Sequence, residues 1–268
     1  MQNRKSKRQS RKLTSQYLEH DMLTEDIIRE VWSLRLELLK LRKSKEDDWA
    51  YFREMVSRPD SGLILARDNE NVLQGFYSMA YFPIDHEGRK ALLVYSKYLY
   101  FRKAYRGNSV LITSGIQLLP YMVKKYGFRM LYLTISAYQQ SYTFFNRTMG
   151  MSWALQDQNM PVWERYVLAQ FAESIFGEDW DKDKQLIANQ SVPSLNVSHL
   201  SGEILQLHKA YEALNPEWGD GYSMFIMAPL NLRAIMRAMR LATQRLHRRI
   251  FGTQNVSAMS RSEEQTDA

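Results

Sequence analysis

The chain has 268 residues, enough for one large or two small domains and for a sizeable hydrophobic core. Hydrophobic residues at 45% and charged residues at 24% exclude a wholly disordered or collagen-like protein. Cysteine is absent, which excludes disulfides, cysteine-ligated zinc, iron–sulfur clusters and a thiol nucleophile, and predicts a reducing compartment.

The net charge of +7 sits at the two ends. Arg4, Lys5, Lys7, Arg8, Arg11 and Lys12 crowd the first twelve residues, and Arg233, Arg237, Arg240, Arg245, Arg248 and Arg249 lie between 230 and 252, with no acid in either stretch. Removing these twelve from the 36 lysines and arginines leaves 24 cations against 29 acids, a mildly acidic body of net −5. A polyanion would therefore meet the flanks, and a broad nucleic-acid groove is not expected. No run of about 18 apolar residues occurs, and the basic N-terminus lacks the apolar stretch of a signal peptide, so a cytoplasmic protein is expected.

Residues 1–22 are polar and basic and are expected to form a disordered arm. Thr24 caps a predicted helix over 25–42, with Glu25 and Asp26 in its first turn and Ile27, Ile28, Val31, Trp32, Leu38 and Leu39 at helical spacing. Ser44 and Asp47 form a capping pair for a second helix, carrying Trp49, Phe52, Met55 and Val56 and stopping at Arg58-Pro59. The period then drops to two. Strands are expected over 63–67, 72–82 and 90–101, joined by a turn at 68–71 and a loop at 83–88. After a basic turn at 102–107, residues 109–126 read as a helix kinked at Pro120 and ended by Gly127, 128–136 as a buried strand, and 141–149 as a short helix closed by Gly150. Further on, helices are expected over 161–176 and 202–214, an irregular stretch over 177–200, a strand over 222–228, a basic helix over 230–250 and a disordered tail from 253.

This order gives one α+β layer system in which a strand and a basic turn feed a helix. At Tyr105-Arg106-Gly107-Asn108-Ser109 successive backbone N–H groups would open the helix, where anions are stabilised, and Arg106 could add a charge-assisted contact to a phosphate. Over residues 24–155 the chain resembles the GNAT superfamily of N-acetyltransferases, through its element order, the strand-turn-helix VYSKYLYFRKAYRGNSV and the later FFNRTMGM. The resemblance implies a mixed, mostly antiparallel sheet flanked by helices, a core over 23–155, an elaboration over 156–229 that completes the sheet or cleft, and a helical C-terminal extension. It also implies an acyl-CoA or acyl carrier protein thioester as co-substrate and no metal. Arg106, Gly107, Asn108 and Ser109 would hold the donor, Leu99 and Phe101 would lie where the fourth strand splays along the pantetheine arm, and Gln139 would contact that arm. Ser109 and Leu111 depart from the family's small residues at those two positions, which keeps a carrier-protein donor open.

Asn146 falls near the family's usual proton-donating Tyr and cannot act as an acid, so Tyr142 or Tyr138 is expected to protonate the leaving thiolate. His86, Glu87, Ser96 and Tyr98 are the polar candidates for deprotonating the acceptor amine, with Glu87 expected among the catalytic residues. His20, His199, His208 and His247 are not spaced as a metal site, and no nucleophile elbow or Walker loop occurs. The helix over 230–250 can line one side with Leu232, Ile235, Met236, Met239, Leu246 and Ile250 and the others with six Arg, a composition suited to an anionic membrane or an acidic carrier protein, or to packing on the domain with solvated arginines. The activity expected is acyl transfer from a thioester to an amine. The alternative is a catalytically inert module of the same fold that binds membrane or nucleic acid through its basic ends.

Overall fold

The structure, a computed structural model, describes residues 13–39, 44–105, 110–188, 202–241 and 243–244. The chain divides between Ile135 and Ser136 into two units.

The first unit begins with β1 (Thr14–Glu19), followed by α1 (Glu25–Leu38), α2 (Lys45–Val56), β2 (Ser61–Arg67), β3 (Leu73–His86), β4 (Arg89–Phe101), α3 (Val110–Gln117), α4 (Leu119–Tyr126) and β5 (Met130–Ala137). Its strands run in the order β1-β2-β3-β4-β5, antiparallel through β4, while β4 and β5 are parallel. This is the mixed, mostly antiparallel sheet flanked by helices that the sequence implied. Both early caps form as read: Thr24 accepts the Ile27 N–H, and Ser44 accepts the Asp47 N–H at 3.1 Å while its hydroxyl donates to the Asp47 carboxylate at 2.7 Å.

Three expectations change. Part of the arm predicted over 1–22 is β1, which pairs with β2 from Thr14↔Arg67 to Glu19↔Gly62. Only Leu18 of this strand is buried, so an edge strand held by backbone bonds leaves no apolar rhythm to read. The predicted loop at 83–88 is strand as far as His86, closed by a two-residue turn in which Glu87 (φ 50°) and Gly88 (φ 74°) both occupy the left-handed region, as a type I′ hairpin requires. The kinked helix is two helices meeting at Leu118, with Pro120 in the first turn of the second, where its missing N–H costs nothing.

The core under α1 and α2 joins Ile28, Val31, Leu34, Phe52, Val56, Leu63, Leu65, Phe76 and Tyr98. Inside it lies an ion pair: Arg35 binds Asp48 with both side chains only 8% exposed, and the Trp32 indole donates to the same carboxylate oxygen at 2.8 Å. The Arg35 guanidinium also lies 5.6 Å from the Phe52 ring centre and 5.4 Å from that of Tyr98. A buried pair is costly to halve, because the remaining charge has no solvent to return to. Asp48→Ala is expected to destabilise the protein by about 3–5 kcal/mol in denaturant unfolding, while Arg35→Met combined with Asp48→Leu recovers most of that loss.

The second unit holds α5 (Gln139–Met149), β6 (Trp153–Ala154), α6 (Val162–Phe176), β7 (Trp180–Asp181), β8 (Leu186–Ile187), α7 (Gly202–Leu214), β9 (Ser223–Pro229) and α8 (232–241). The apolar strand expected near 222–228 is β9, which pairs antiparallel with β6 and β8 and is buried from Ser223 to Ala228. It packs under α6, with Phe225 5.5 Å from Phe171 and 5.1 Å from Phe176 between ring centres. The stretch read as irregular contains the β7–β8 hairpin, and residues 189–201 lie outside the described residues. The basic helix is described as far as 241, with residues 243 and 244 also helical, and the rest of the predicted 230–250 lies outside.

Candidate functional site

Strand β4 changes its neighbours halfway along. From Ala91 to Ser96 it pairs on one edge with β5, residue by residue from Met130 to Ile135, and on the other with β3. The β5 register stops at Ser96↔Ile135, whereas the β3 register continues to Gly75↔Phe101. At the point of separation the register of β3 against β4 slips: Met79 faces Ser96 and Ser78 faces Tyr98, which makes Lys97 the extra residue of a β-bulge. Beyond it, β5 has left the edge of β4 that carries the backbone of Tyr98, Leu99 and Tyr100, roughly 10 Å of strand.

Side chains fix this ending. The Phe101 ring fills the space over Gly75, where an added Cβ would lie 2.3 Å from a ring carbon. Phe101 also clusters with Ala66 and Val110, against Leu13 and Tyr105, and so ties the end of β4 to the start of α3. Arg102 donates to Glu37 at 2.8 and 2.5 Å and to the Leu73 carbonyl at 2.8 Å, clamping the strand end to α1 and β3. The four residues between the strand end and α3 that the sequence singled out for the donor, Arg106, Gly107, Asn108 and Ser109, lie outside the described residues. Leu99 is largely exposed, whereas Phe101 is buried and serves the packing through its ring.

Around the bulge the chemistry is phenolic and cationic. The Lys97 ammonium donates to the Tyr51 hydroxyl at 3.1 Å. Burial pushes the Tyr77 phenol up to about 12, against the hydrogen bond from Ser96 that pulls it down. Tyr98 is likewise held well above its ordinary range, first by burial. These phenols stay protonated and neutral across the physiological range.

The remaining expected residues fall elsewhere. Glu87 is at the tip of the β3–β4 hairpin, 3.7 Å from His86, and roughly 26 Å along β4 from Lys97. That distance removes both from the chemistry of the bulge. Gln139, Tyr138 and Tyr142 belong to the second unit. Gln139 is buried; its amide nitrogen lies 3.1 Å from His208 Nε2 and donates to Glu212 at 3.2 Å, which ties that end of the amide to α7, while its amide oxygen is buried without a hydrogen-bond partner. Tyr138 caps α5, its N–H donating to the Ser141 hydroxyl at 2.8 Å and its carbonyl accepting from the same hydroxyl at 3.0 Å. Tyr142 is buried with its ring 5.5 Å from Tyr211; burial raises its phenol, the Asp157 charge adds to that, and the Asn146 amide opposes it. Asn146 itself is structural, donating to the Tyr142 carbonyl at 3.1 Å and accepting from Ser152 at 2.9 Å.

Two features escaped sequence reading. Lys97 follows Ser96, and two adjacent polar residues in an otherwise apolar and aromatic strand are the visible mark of a bulge. His208 and Glu212, one helical turn apart in α7, form a partly buried polar group with Gln139, with His208 Nε2 3.4 Å from the carboxylate. Among the described residues, no three or more His, Cys, Asp or Glu side chains come together in a way that could hold a metal ion.

No family model matches the chain, and no curated protein does. Solved structures do, all of low identity. A ribosomal-protein-alanine N-acetyltransferase from Brucella melitensis biovar Abortus 2308 is 17% identical, covering 46% of this chain and 81% of its own, with a TM-score of 0.34. Arabidopsis thaliana NAA60, solved with a bisubstrate analogue, is 11% identical over 81% of this chain and 100% of its own, with a TM-score of 0.41. A predicted acetyltransferase from Clostridium acetobutylicum, solved with acetyl-CoA, is 14% identical over 56% of this chain and 94% of its own, with a TM-score of 0.39. These neighbours are acetyltransferases, and the functional reading of this chain rests on the geometry of β4.

The contact of Phe101 with Gly75 is the part of that geometry most open to a direct check. Gly75→Ala is expected to cost about 1–3 kcal/mol, because the ring must move off the strand. In a Phe101→Ala background the same change is expected to be close to neutral, and a double-mutant cycle in denaturant unfolding reads the difference.

Proposed function

We propose that the first unit is an acyltransferase of the GNAT type, taking an acyl group from a thioester and giving it to an amine. The observation that carries this reading is the edge of β4 that β5 leaves after Ser96. A strand edge recognises extended amide-bearing groups by main-chain hydrogen bonds, and a pantetheine arm carries two amides. The bulge at Lys97 turns the local backbone out of the regular ladder, which suits an N–H to polarise a thioester carbonyl at the inner end of that arm. In the reaction the amine nitrogen bonds to the carbonyl carbon, the C–S bond breaks, the thiolate takes up a proton and the amine gives one to water or a base.

Acyl-CoA is the donor this reading favours. Arg106, Gly107, Asn108 and Ser109 would hold its phosphates at the entry to α3, with Leu99 and Phe101 contributing backbone along the arm.

Thermal unfolding with coenzyme A, acetyl-CoA and a long-chain acyl-CoA tests the donor. A ligand at about 100 times its Kd stabilises by about 2.7 kcal/mol, raising the midpoint by roughly 5–10 °C. Arg106→Glu is expected to abolish that rise without moving the midpoint of the free protein. No rise with any of the three, or a rise that survives Arg106→Glu, overturns the acyl-CoA assignment.

A further inference from the structure

Helix α8 is mounted with its larger apolar side chains outward. Asn231 caps it, its side-chain oxygen accepting the Ala234 N–H at 2.9 Å. The faces it buries belong to Ala234 and Ala238, 3% and 9% exposed, while Leu232, Met236 and Met239 are 72%, 62% and 50% exposed. The sequence had allowed the stripe of Leu232, Ile235, Met236 and Met239 to pack on the domain. The structure turns most of that stripe outward: Ile235 is partly buried, the alanines let the helix lie close, and Leu232, Met236 and Met239 form an outward stripe at spacings of four and three. Arg237 holds the helix in this rotation. Its Nε donates to the Arg147 carbonyl in the last turn of α5 at 3.0 Å, and its aliphatic stem crosses Gly150, which has φ 82° and would place a Cβ 2.8 Å from the Arg237 Cδ.

Arg233 and Arg240 are exposed beside the stripe. In sequence the pattern continues beyond the described helix, with Leu246 and Ile250 in phase with Leu232, Met236 and Met239, three further arginines, and no acid between 230 and 252. A stripe of Leu, Met and Ile bordered by arginines whose stems can lie along an apolar boundary while their guanidinium groups stay in the polar layer is the composition of a helix lying in a lipid interface. A second copy of this chain fits poorly, since two such helices would set arginines against arginines with no acid to relieve them. A single acidic protein would have to match this helix and, for the other half of the flanking charge, residues 1–12. An anionic bilayer satisfies both without matching any shape.

We infer that α8 forms an interfacial anchor that docks this protein on anionic lipid bilayers, with Leu232, Met236 and Met239 entering the headgroup boundary and Arg233 and Arg240 meeting the lipid charge. This inference stands independently of the acyltransferase reading.

Sedimentation of the full chain with vesicles of phosphatidylcholine alone, and of phosphatidylcholine mixed with phosphatidylglycerol, tests it. Binding is expected to the mixed vesicles only and to weaken as salt is raised. Arg233→Gln with Arg240→Gln is expected to lower the partition coefficient roughly 30-fold, at about 1 kcal/mol per cation. Leu232→Ser, Met236→Ser and Met239→Ser together are expected to lower it by at least roughly tenfold, with an unchanged thermal midpoint because the three side chains are exposed. The inference is overturned by equal binding to neutral vesicles, by no vesicle binding, or by a triple serine variant that binds like the wild type, which would assign the attraction to the N-terminal charge alone. It is equally overturned if the apolar triplet instead supports a dimer in light scattering, or if an acidic acyl carrier protein binds while vesicles do not.

Discussion

One strand with two kinds of edge organises the first unit. In its first half β4 is an interior strand, and in its second half β5 has left one edge. The change cannot be gradual, because a residue either pairs or does not, and the bulge at Lys97 supplies the discontinuity by adding one residue to β4 where β3 has none. Parallel pairing with β5 also requires the long crossover through α3 and α4. The packing reinforces this ending at three points: Phe101 over Gly75, Phe101 against Val110, and Arg102 on Glu37.

The same strand meets α1 and α2 through a second constraint. Tyr98, the residue after the bulge, lies over the Arg35 guanidinium whose charge is balanced inside the core by Asp48. A hydrophobic cluster could be repacked with modest loss, but this pair must stay whole, which ties both helices in register to the irregular half of β4. The groups near the bulge are correspondingly poor in titrating side chains: buried tyrosines held above their ordinary range, a serine, and a lysine engaged by Tyr51. What the region presents is backbone, and backbone suits recognition of an amide-bearing chain better than it suits acid–base work by a side chain.

Much of this was legible from residue types. The two helix caps at Thr24 and Ser44, the hairpin strands, the helix closed by Gly150 and the apolar strand β9 all follow from local chemistry that tertiary structure did not override. What escaped was of two kinds. Strand β1 has one buried residue, so its existence depends on a partner strand far along the chain, from Thr14 with Arg67 to Glu19 with Gly62, and no local period records it. The site residues were assigned by position along the chain, which says nothing of distance along a strand: the two residues at the hairpin tip, His86 and Glu87, looked close to the third strand's polar groups in sequence and stand a full strand length away. The partners of the Gln139 amide nitrogen, His208 and Glu212, lie about 70 residues on in α7, and only the packing of that helix reveals them.

The basic helix shows why composition alone left two readings open. An amphipathic pattern tells which residues share a face but not which face is turned inward, and here two candidate faces exist, one of alanines and one of Leu and Met. For most surface helices the larger apolar face wins, because burial scales with area. In α8 the smaller face is buried, and the free energy that would come from turning the helix over is forgone. The Arg147 carbonyl and the bare surface of Gly150 explain how the rotation is held, since Arg237 reaches both only when the alanines face inward. An outward Leu-Met stripe is thus built into the docking of the helix rather than left over from it, and a surface so built is one the protein has reason to cover.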